Sequence, residues 1–378
     1  MLSRSFPRSG LAVIVFPLLL LAGCGGESSG PDLGDWTLKT NELALQKDLQ
    51  VSESEAFYFG RIFDLDVTSD GRMVVADWDA KNIKVLRPDG TLIDTLGREG
   101  SGPGEFQQLR SVQAARGDSI YAYDARRSRL TVFAPAPSLQ LDRTVTIPRK
   151  QAAATNVLAL SGCLIGKFTT FSAPEEGVSR PDPNAWRWIS ESGTPGDTLL
   201  LAPQSKMALK SLDEGGGRIR YLPMTGETVT ALDPAGRLYH GWTDSLRISA
   251  HDLNGSSEVV ASVPTEPLPM QAADRDSMLS DISGTMKDMV ASALPDTKPA
   301  FTQLLVDDKE RLWVERPTKA TVPKHRWWIL NPTSKTIHEV QVPSEVDLEV
   351  VQNGMAYGTT ETEMGAPAVV RYRIDSSS

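Results

Sequence analysis

Short apolar runs and polar turn signals alternate along most of the chain, and two consecutive stretches repeat the same order. The first runs Asp70-Gly71-Arg72-Met73-Val74-Val75-Ala76-Asp77, then Asn82-Ile83-Lys84-Val85-Leu86, then Pro88-Asp89-Gly90-Thr91-Leu92. The second runs Gly117-Asp118-Ser119-Ile120-Tyr121-Ala122-Tyr123-Asp124, then Arg129-Leu130-Thr131-Val132-Phe133. Each is a turn, a β-prone run ending in Asp, a polar loop and another β-prone run. Asp-Gly between such runs is a strong hairpin signal. Runs such as 73–76 lack in-and-out alternation, which predicts strands covered on both faces.

Four weaker copies follow, at Gly162-Cys163-Leu164, Gly236-Arg237-Leu238, Arg311-Leu312-Trp313 and Gly354-Met355-Ala356. With Met73, Ile120, Cys163, Leu238, Leu312 and Met355 as equivalent points, the spacings are 47, 43, 75, 74 and 43 residues. The short spacings fit one four-stranded sheet per unit, and the long ones require insertions. Radial repetition of such sheets predicts an all-β fold, a six-bladed β-propeller over residues 36–378. Residues 36–51 precede the first full unit and carry Trp36, Leu38, Leu43, Leu45, Leu49 and Val51. They are expected to add a strand to the last blade beside 369–374, closing the ring.

Two segments break the pattern. In residues 270–294, Met278, Ile282, Met286, Met289 and Ala293 recur at steps of three and four. That spacing predicts one inserted amphipathic helix packed on the propeller, with Gly284 a weak point inside it. Residues 172–222, with several prolines and Glu214-Gly215-Gly216-Gly217, read as long loops.

The first two units resemble the NHL-repeat class of six-bladed propellers. Gly97-Arg98-Glu99-Gly100-Ser101-Gly102-Pro103-Gly104-Glu105-Phe106 looks like the inter-blade loop of bacterial members, and Leu312-Trp313-Val314 resembles their penultimate blade. The likeness is specific for fold and poor for function, because propellers host many unrelated activities.

The N-terminus carries Arg4 and Arg8, then an apolar run over 11–23, too short to span a bilayer comfortably. It closes on Leu21-Ala22-Gly23-Cys24, which resembles a bacterial lipobox. The resemblance implies a signal peptide over 1–23, with Cys24 as the mature N-terminus carrying a thioether diacylglycerol and an N-acyl chain. Residues 24–35 read as a flexible tether. Gly25 and Gly26 stand where an Asp would imply inner-membrane retention, so a cell-envelope location in the outer membrane is expected.

Removing 1–23 takes the formal charge from −9 to −11. An acidic domain with no basic stripe argues against nucleic acid as a partner. Cys163 is then the only other thiol, which excludes a disulfide between side chains, and it reads as a small buried hydrophobe.

Little catalytic chemistry stands out. Gly26-Glu27-Ser28-Ser29-Gly30 matches a nucleophile elbow in letters alone, since it sits in the tether. The four histidines, His240, His251, His325 and His338, show no spacing that pairs them on one element. Asp64, Asp66 and Asp70 offer the oxygen ligands that calcium takes. Their spacing misses the EF-hand loop, so they read as solvated turn carboxylates, with calcium the one candidate ion. Trp186, Trp188, Trp313, Trp327 and Trp328 read as packing between blades. The charged turns Asp77, Asp79, Lys81 and Asp124, Arg126, Arg127 form the candidate binding face, on the side where propeller ligands often sit.

Two functions compete. One is a non-catalytic binding or scaffolding module for a protein or glycan, with no catalytic or metal-binding residues. The other is a metal-dependent hydrolase or lyase of lactonase or amidating-lyase type. Three or more Asp, Asn, Glu or His side chains converging on the central channel would favour the enzyme.

Overall fold

The computed structural model describes residues 36–39, 43–149, 152–160, 163–169, 176–212, 216–233, 236–252, 255–319, 322 and 324–376. The expected signal peptide, tether and Cys24 lie outside the described residues. Six four-stranded antiparallel sheets follow one another around an axis as the blades of a β-propeller. Blade 1 comprises Ile62–Val67, Met73–Asp77, Asn82–Leu86 and Leu92–Leu96; blade 2 comprises Leu109–Ala114, Ile120–Asp124, Arg129–Phe133 and Leu141–Thr146. Blade 3 is Ala153–Leu160, Cys163–Thr169, Asn184–Ile189 and Pro195–Ala202, and blade 4 is Thr228–Leu232, Leu238–Trp242, Arg247–His251 and Ser257–Ser262. Blade 5 is Gln303–Val306, Leu312–Arg316, Lys324–Asn331 and Thr336–Pro343, with Thr37–Lys39 added in parallel outside.

Blade 6 closes the ring. Asp347–Gln352, Met355–Glu361 and Pro367–Ser376 supply three strands, and Leu43–Val51 supplies the outermost. Leu45 stands opposite Ile374 and Val51 opposite Val369. The first strand of the closing pair thus comes from before blade 1, as the apolar spacing over 36–51 predicts.

The lack of alternation in blade 1 has a direct cause. Met73–Asp77 is buried along its whole length. Val74, Ala76, Ile83 and Val85 pack toward blade 2 with Val112, Ile120 and Ala122. Met73, Val75 and Leu86 pack toward blade 6 with Tyr357 and Val369. Each face therefore needs apolar side chains. Gly90, predicted in a turn, has φ 86°, and a Cβ there would lie 2.4 Å from the Val51 side chain. Only glycine lets that turn rest on the closing strand.

The insertions differ from expectation. Residues 172–222 hold the two outer strands of blade 3 and a small sheet of Gly177–Ser179, Met207–Ser211 and Gly217–Tyr221, rather than loops alone. The single inserted helix is two, α1 (Ala272–Leu279) and α2 (Gly284–Ala293). Ser280, Asp281 and Ser283 in the break are residues whose side chains compete for backbone groups, and Gly284 takes φ 60°. Met278, Ile282, Met286 and Met289 pack with Val290 on Ala208 and Leu222, at the small sheet rather than on a blade. A buried ion pair from Lys298 to Asp274, 2.7 Å, ties α1 to the approach to blade 5. Among the described residues no helix is long and apolar enough to cross a membrane.

Candidate functional site

The second strands of the blades end on one face, called here the upper face. It carries the turns 78–81 and 125–128 and the linkers that enter the innermost strands. A cavity of 360 Å³ lies around the axis, walled by the middle of the innermost strands and their ends remote from the upper face, with Lys167 and Trp186 of the next two strands of blade 3. The sequence Phe63-Asp64-Leu65-Asp66-Val67 alternates strictly, turning Leu65 and Val67 into the core and leaving both carboxylates on the cavity. Asp64 and Asp66 are therefore strand residues of the channel wall, not solvated turn carboxylates. Asp70 alone of the three is an exposed turn residue, paired with Arg72 at 2.8 Å.

Most of the polar wall is committed to holding blades together. Asp64 accepts from the Leu65 amide at 3.1 Å and from Val112 of blade 2 at 2.8 Å. Asp66 accepts from Val67 at 2.7 Å and from Ala114 of blade 2 at 2.8 Å. Gln113 makes a two-way bond with the backbone of Ala159 in blade 3, at 2.9 and 2.7 Å. Ser111 donates to Asn156 at 2.8 Å, Gln303 to the Leu348 carbonyl at 2.8 Å, and Gln352 to the Thr68 carbonyl at 3.1 Å. These side chains join blades 1 to 2, 2 to 3, 5 to 6 and 6 to 1. Burial pushes Asp64 up to about 7 and Asp66 up to about 6, although the accepted amides pull the other way.

Two ionisable groups on the same cavity are not so committed. Neither the Lys167 Nζ of blade 3 nor the Glu349 carboxylate of blade 6 makes a hydrogen bond or ion pair among the described residues. Burial, with the charges of Asp64 and Asp347, raises Glu349 to about 8. Burial lowers the Lys167 amine, against the opposing charge of Glu227, whose own carboxyl burial raises. Among the described residues, no group of three or more His, Cys, Asp or Glu side chains is arranged to hold a metal ion.

The residues of the charged turns divide. Asp77 and Asp124 are wholly buried, so they are not part of an exposed face. Asp77 accepts from the amides of Gly60, Arg61, Asp79 and Ala80 and pairs with buried Lys84 at 2.8 Å. Asp124 accepts from Gln107, Gln108 and Arg127 in the equivalent way. Each carboxylate at the end of a second strand pins the linker arriving from the preceding blade. Asp79, Arg126 and Arg127 are exposed, and Lys81 is half-buried.

The surface left above these anchors is cationic and aromatic. Phe63 and Trp78 lie 4.9 Å apart, Lys81 sits 4.8 Å over Trp78, and Arg110 sits 5.1 Å over Phe63. The Arg61 guanidinium lies 5.9 Å from the centre of the Trp78 ring, and exposed Arg149 donates to the carbonyls of Ala125 and Arg126. The loop before blade 2 is held in turn by Arg129, which donates to the carbonyls of Ser101, Gly102 and Glu105. Sequence reading missed Phe63, Arg61 and Arg110, because they belong to linkers and strand starts rather than to the charged turns.

Elsewhere, His240 and His251 lie on adjacent strands of blade 4 with rings 4.8 Å apart, a pairing that their separation in sequence hides. Burial, reinforced by His251, lowers His240 to about 4, and burial lowers His251 too. Cys163 is exposed at a strand start, not buried. Trp186, Trp313 and Trp327 are buried between blades, as read from sequence.

Comparison with known proteins agrees on architecture. A family described as a 6-bladed beta-propeller matches residues 50–148. The solved structure of a candidate exported protein from Bacteroides fragilis is similar, with a TM-score of 0.55 and 12% identity over 90% of this chain and 100% of that one. Weaker likenesses are virginiamycin B lyase from Staphylococcus aureus (TM-score 0.42, 12% identity, 88% and 99% covered) and a gluconolactonase from Xanthomonas campestris (0.38, 14%, 81% and 83%). No curated protein matches in sequence.

Proposed function

We propose that this chain is an exported, lipid-anchored propeller that acts as a non-catalytic binding or scaffolding module, engaging an acidic protein or glycan with the upper face of blades 1 and 2. The observation that carries this reading is the division within the charged turns. Asp77 and Asp124 spend their acceptors chiefly on backbone amides, and the groups left exposed are chiefly Arg61 beside Trp78, Arg110 over Phe63, and Arg126, Arg127 and Arg149 at the blade 2 turn. Rigid turns bearing exposed guanidinium groups suit recognition of carboxylate or sulfate, which guanidinium pairs bidentately. The acidic net charge of the domain hides this local excess. NHL-type lineage, the lipid on Cys24 and residence in the outer membrane belong to the same reading and rest on the sequence motifs.

The competing reading, a metal-dependent hydrolase or lyase, draws on Asp64, Asp66, Asn156 and Glu349 sharing one cavity. That number meets the criterion set from sequence. Against it, the two aspartates already accept backbone amides and Asn156 accepts from Ser111. Those bonds fix the three side chains in joining blades, and among the described residues no three His, Cys, Asp or Glu groups are arranged around one ion.

A test compares the wild-type protein with Arg126→Ala/Arg127→Ala on immobilised acidic and neutral polysaccharides and on envelope extracts. Salt-sensitive binding to acidic partners, lost in the double variant with an unchanged melting temperature, is expected. Undiminished binding by the double variant would remove this face from the reading.

A further inference from the structure

Two insertions of blade 3 meet in the small sheet. Gly177–Ser179 lies between the second and third strands of the blade, and Met207–Ser211 and Gly217–Tyr221 lie in the linker to blade 4. Gly217–Tyr221 is exposed along its whole length, pairs with Met207–Ser211, and has no strand on its other edge among the described residues. The Leu212 amide donates to the Gly216 carbonyl at 3.2 Å, and the Leu222 amide to the Lys206 carbonyl at 2.7 Å. Antiparallel bonds recur at every second residue, so Arg218 and Arg220 turn their backbone groups toward Met207–Ser211. Gly217, Ile219 and Tyr221 turn theirs outward, as the donors and acceptors of an open edge.

The side chains of this strand sort by face. Arg218 stands opposite Lys210 and Arg220 opposite Ala208, on the face where α2 packs. Arg220 pairs with Asp281 at 3.0 Å and Lys210 donates to Thr285, whereas Arg218 has no partner among the described residues. On the other face, Ile219 and Tyr221 are 53% and 54% exposed. They border a groove of 670 Å³ that is lined as well by Asn184, Gln204 and Glu227 at the ends of blades 3 and 4. The open edge is therefore cationic on one face and apolar on the other.

We infer that this edge takes an extended segment of a partner protein as a fourth strand, one in which apolar and acidic residues alternate. Its backbone bonds the outward groups of Ile219 and Tyr221. Its apolar side chains lie beside those two in the groove, and its acidic ones reach Arg218 and Arg220 on the opposite face. Main-chain bonds supply the affinity of such an addition, and alternate side chains its specificity. A second copy of this chain fits poorly. Two such edges paired antiparallel about Ile219 would set Arg218 of each against Arg220 of the other, and like charges directly opposite are destabilising. The site uses no residue of the cationic surface on blades 1 and 2.

Fluorescence anisotropy of the purified full chain with a short, labelled, end-capped peptide alternating valine and glutamate tests this. Companion peptides carry lysine for glutamate, the same residues in two blocks, or N-methyl groups on either the valine or the glutamate amides. Only alternate amides of an added strand face the edge. One methylated form should therefore bind like the parent and the other about tenfold or more weaker, with the lysine and block peptides weakened likewise. Ile219→Pro removes an outward N–H and no bond of the sheet, so it should abolish binding at a nearly unchanged melting temperature. Arg218→Glu, which leaves the backbone alone, should weaken binding severalfold and favour the lysine peptide. The inference is overturned if the alternating peptide does not bind at millimolar concentration, if both methylated forms bind equally, or if Arg218→Glu leaves the charge preference unchanged. A dimer that Ile219→Pro dissociates would overturn it too, by giving the edge to a second copy.

Discussion

The ammonium of Lys84 lies 2.8 Å from the Asp77 carboxylate, and both side chains are almost wholly removed from solvent. Burial alone would raise the Asp77 pKa; the Lys84 hydrogen bond and the amides of Gly60 and Ala80 outweigh it and hold the carboxyl below its ordinary value. Removing one member of such a pair strands the other. Asp77→Ala is expected to cost about 3–5 kcal/mol, through the stranded ammonium and the orphaned amides. Asp124→Ala, whose carboxylate serves amides only, should cost about 1–3 kcal/mol. Denaturant midpoints of the two variants check the ranking, and Asp77→Ala/Lys84→Met should recover part of the loss.

Stability should depend on the cavity carboxyls. The folded-state pKa values of Asp64, Asp66 and Glu349, about 7, 6 and 8, lie above those of the unfolded chain. The folded state therefore holds extra protons in between, and their contribution is complete below the unfolded values and lost as pH rises through about 6 to 8. Glu349→Gln should flatten the upper part of that decline. A pH series of chemical denaturation that showed the same slope in the variant would remove Glu349 as its source.

His240 and His251 act in the opposite sense. Burial keeps both neutral in the folded protein, with His240 titrating near 4. The unfolded chain takes up protons below about 6.5, so this contribution is lost as pH falls from there toward 4. His240→Phe should flatten the acid limb and leave the alkaline one unchanged.

Deleting residues 43–51 should abolish cooperative unfolding. It exposes the whole edge of Pro367–Ser376, and an open edge of that length invites aggregation. A deletion protein with a sharp thermal transition and no rise in light scattering would show that the ring tolerates an open seam.

Cys24→Ala should abolish incorporation of labelled fatty acid and yield either an uncleaved precursor or a soluble protein. Equal labelling and equal membrane retention in the variant would remove the lipoprotein assignment.

The repeat was legible because its punctuation is local. Met73, Ile120, Cys163, Leu238, Leu312 and Met355, taken as equivalent from sequence, are the first residues of the second strand in all six blades. Turn signals precede each of them. The outer strands of blade 3 were not legible, because an inserted sheet interrupts them and their apolar residues are diluted by proline and glycine. Asp64 and Asp66 carried a readable signal, the alternation of Phe63-Asp64-Leu65-Asp66-Val67, which marks a strand with a polar face. The approach of Glu349 to Asp64 had no such signal. It follows from ring geometry, which places the last repeat beside the first.

Strand Leu43–Val51 finds its partner only in Pro367–Ser376. During synthesis the earlier of these leaves the ribosome before any complete blade and the later follows the first five, so the opening strand must wait while the blades between are made. The blades between can form locally, but none of them can seal the circle. A chain that stops short leaves its first strand without a mate, exposed to proteases that clear unfinished products. Closure thus makes the first edge of the ring depend on the synthesis of its sixth blade.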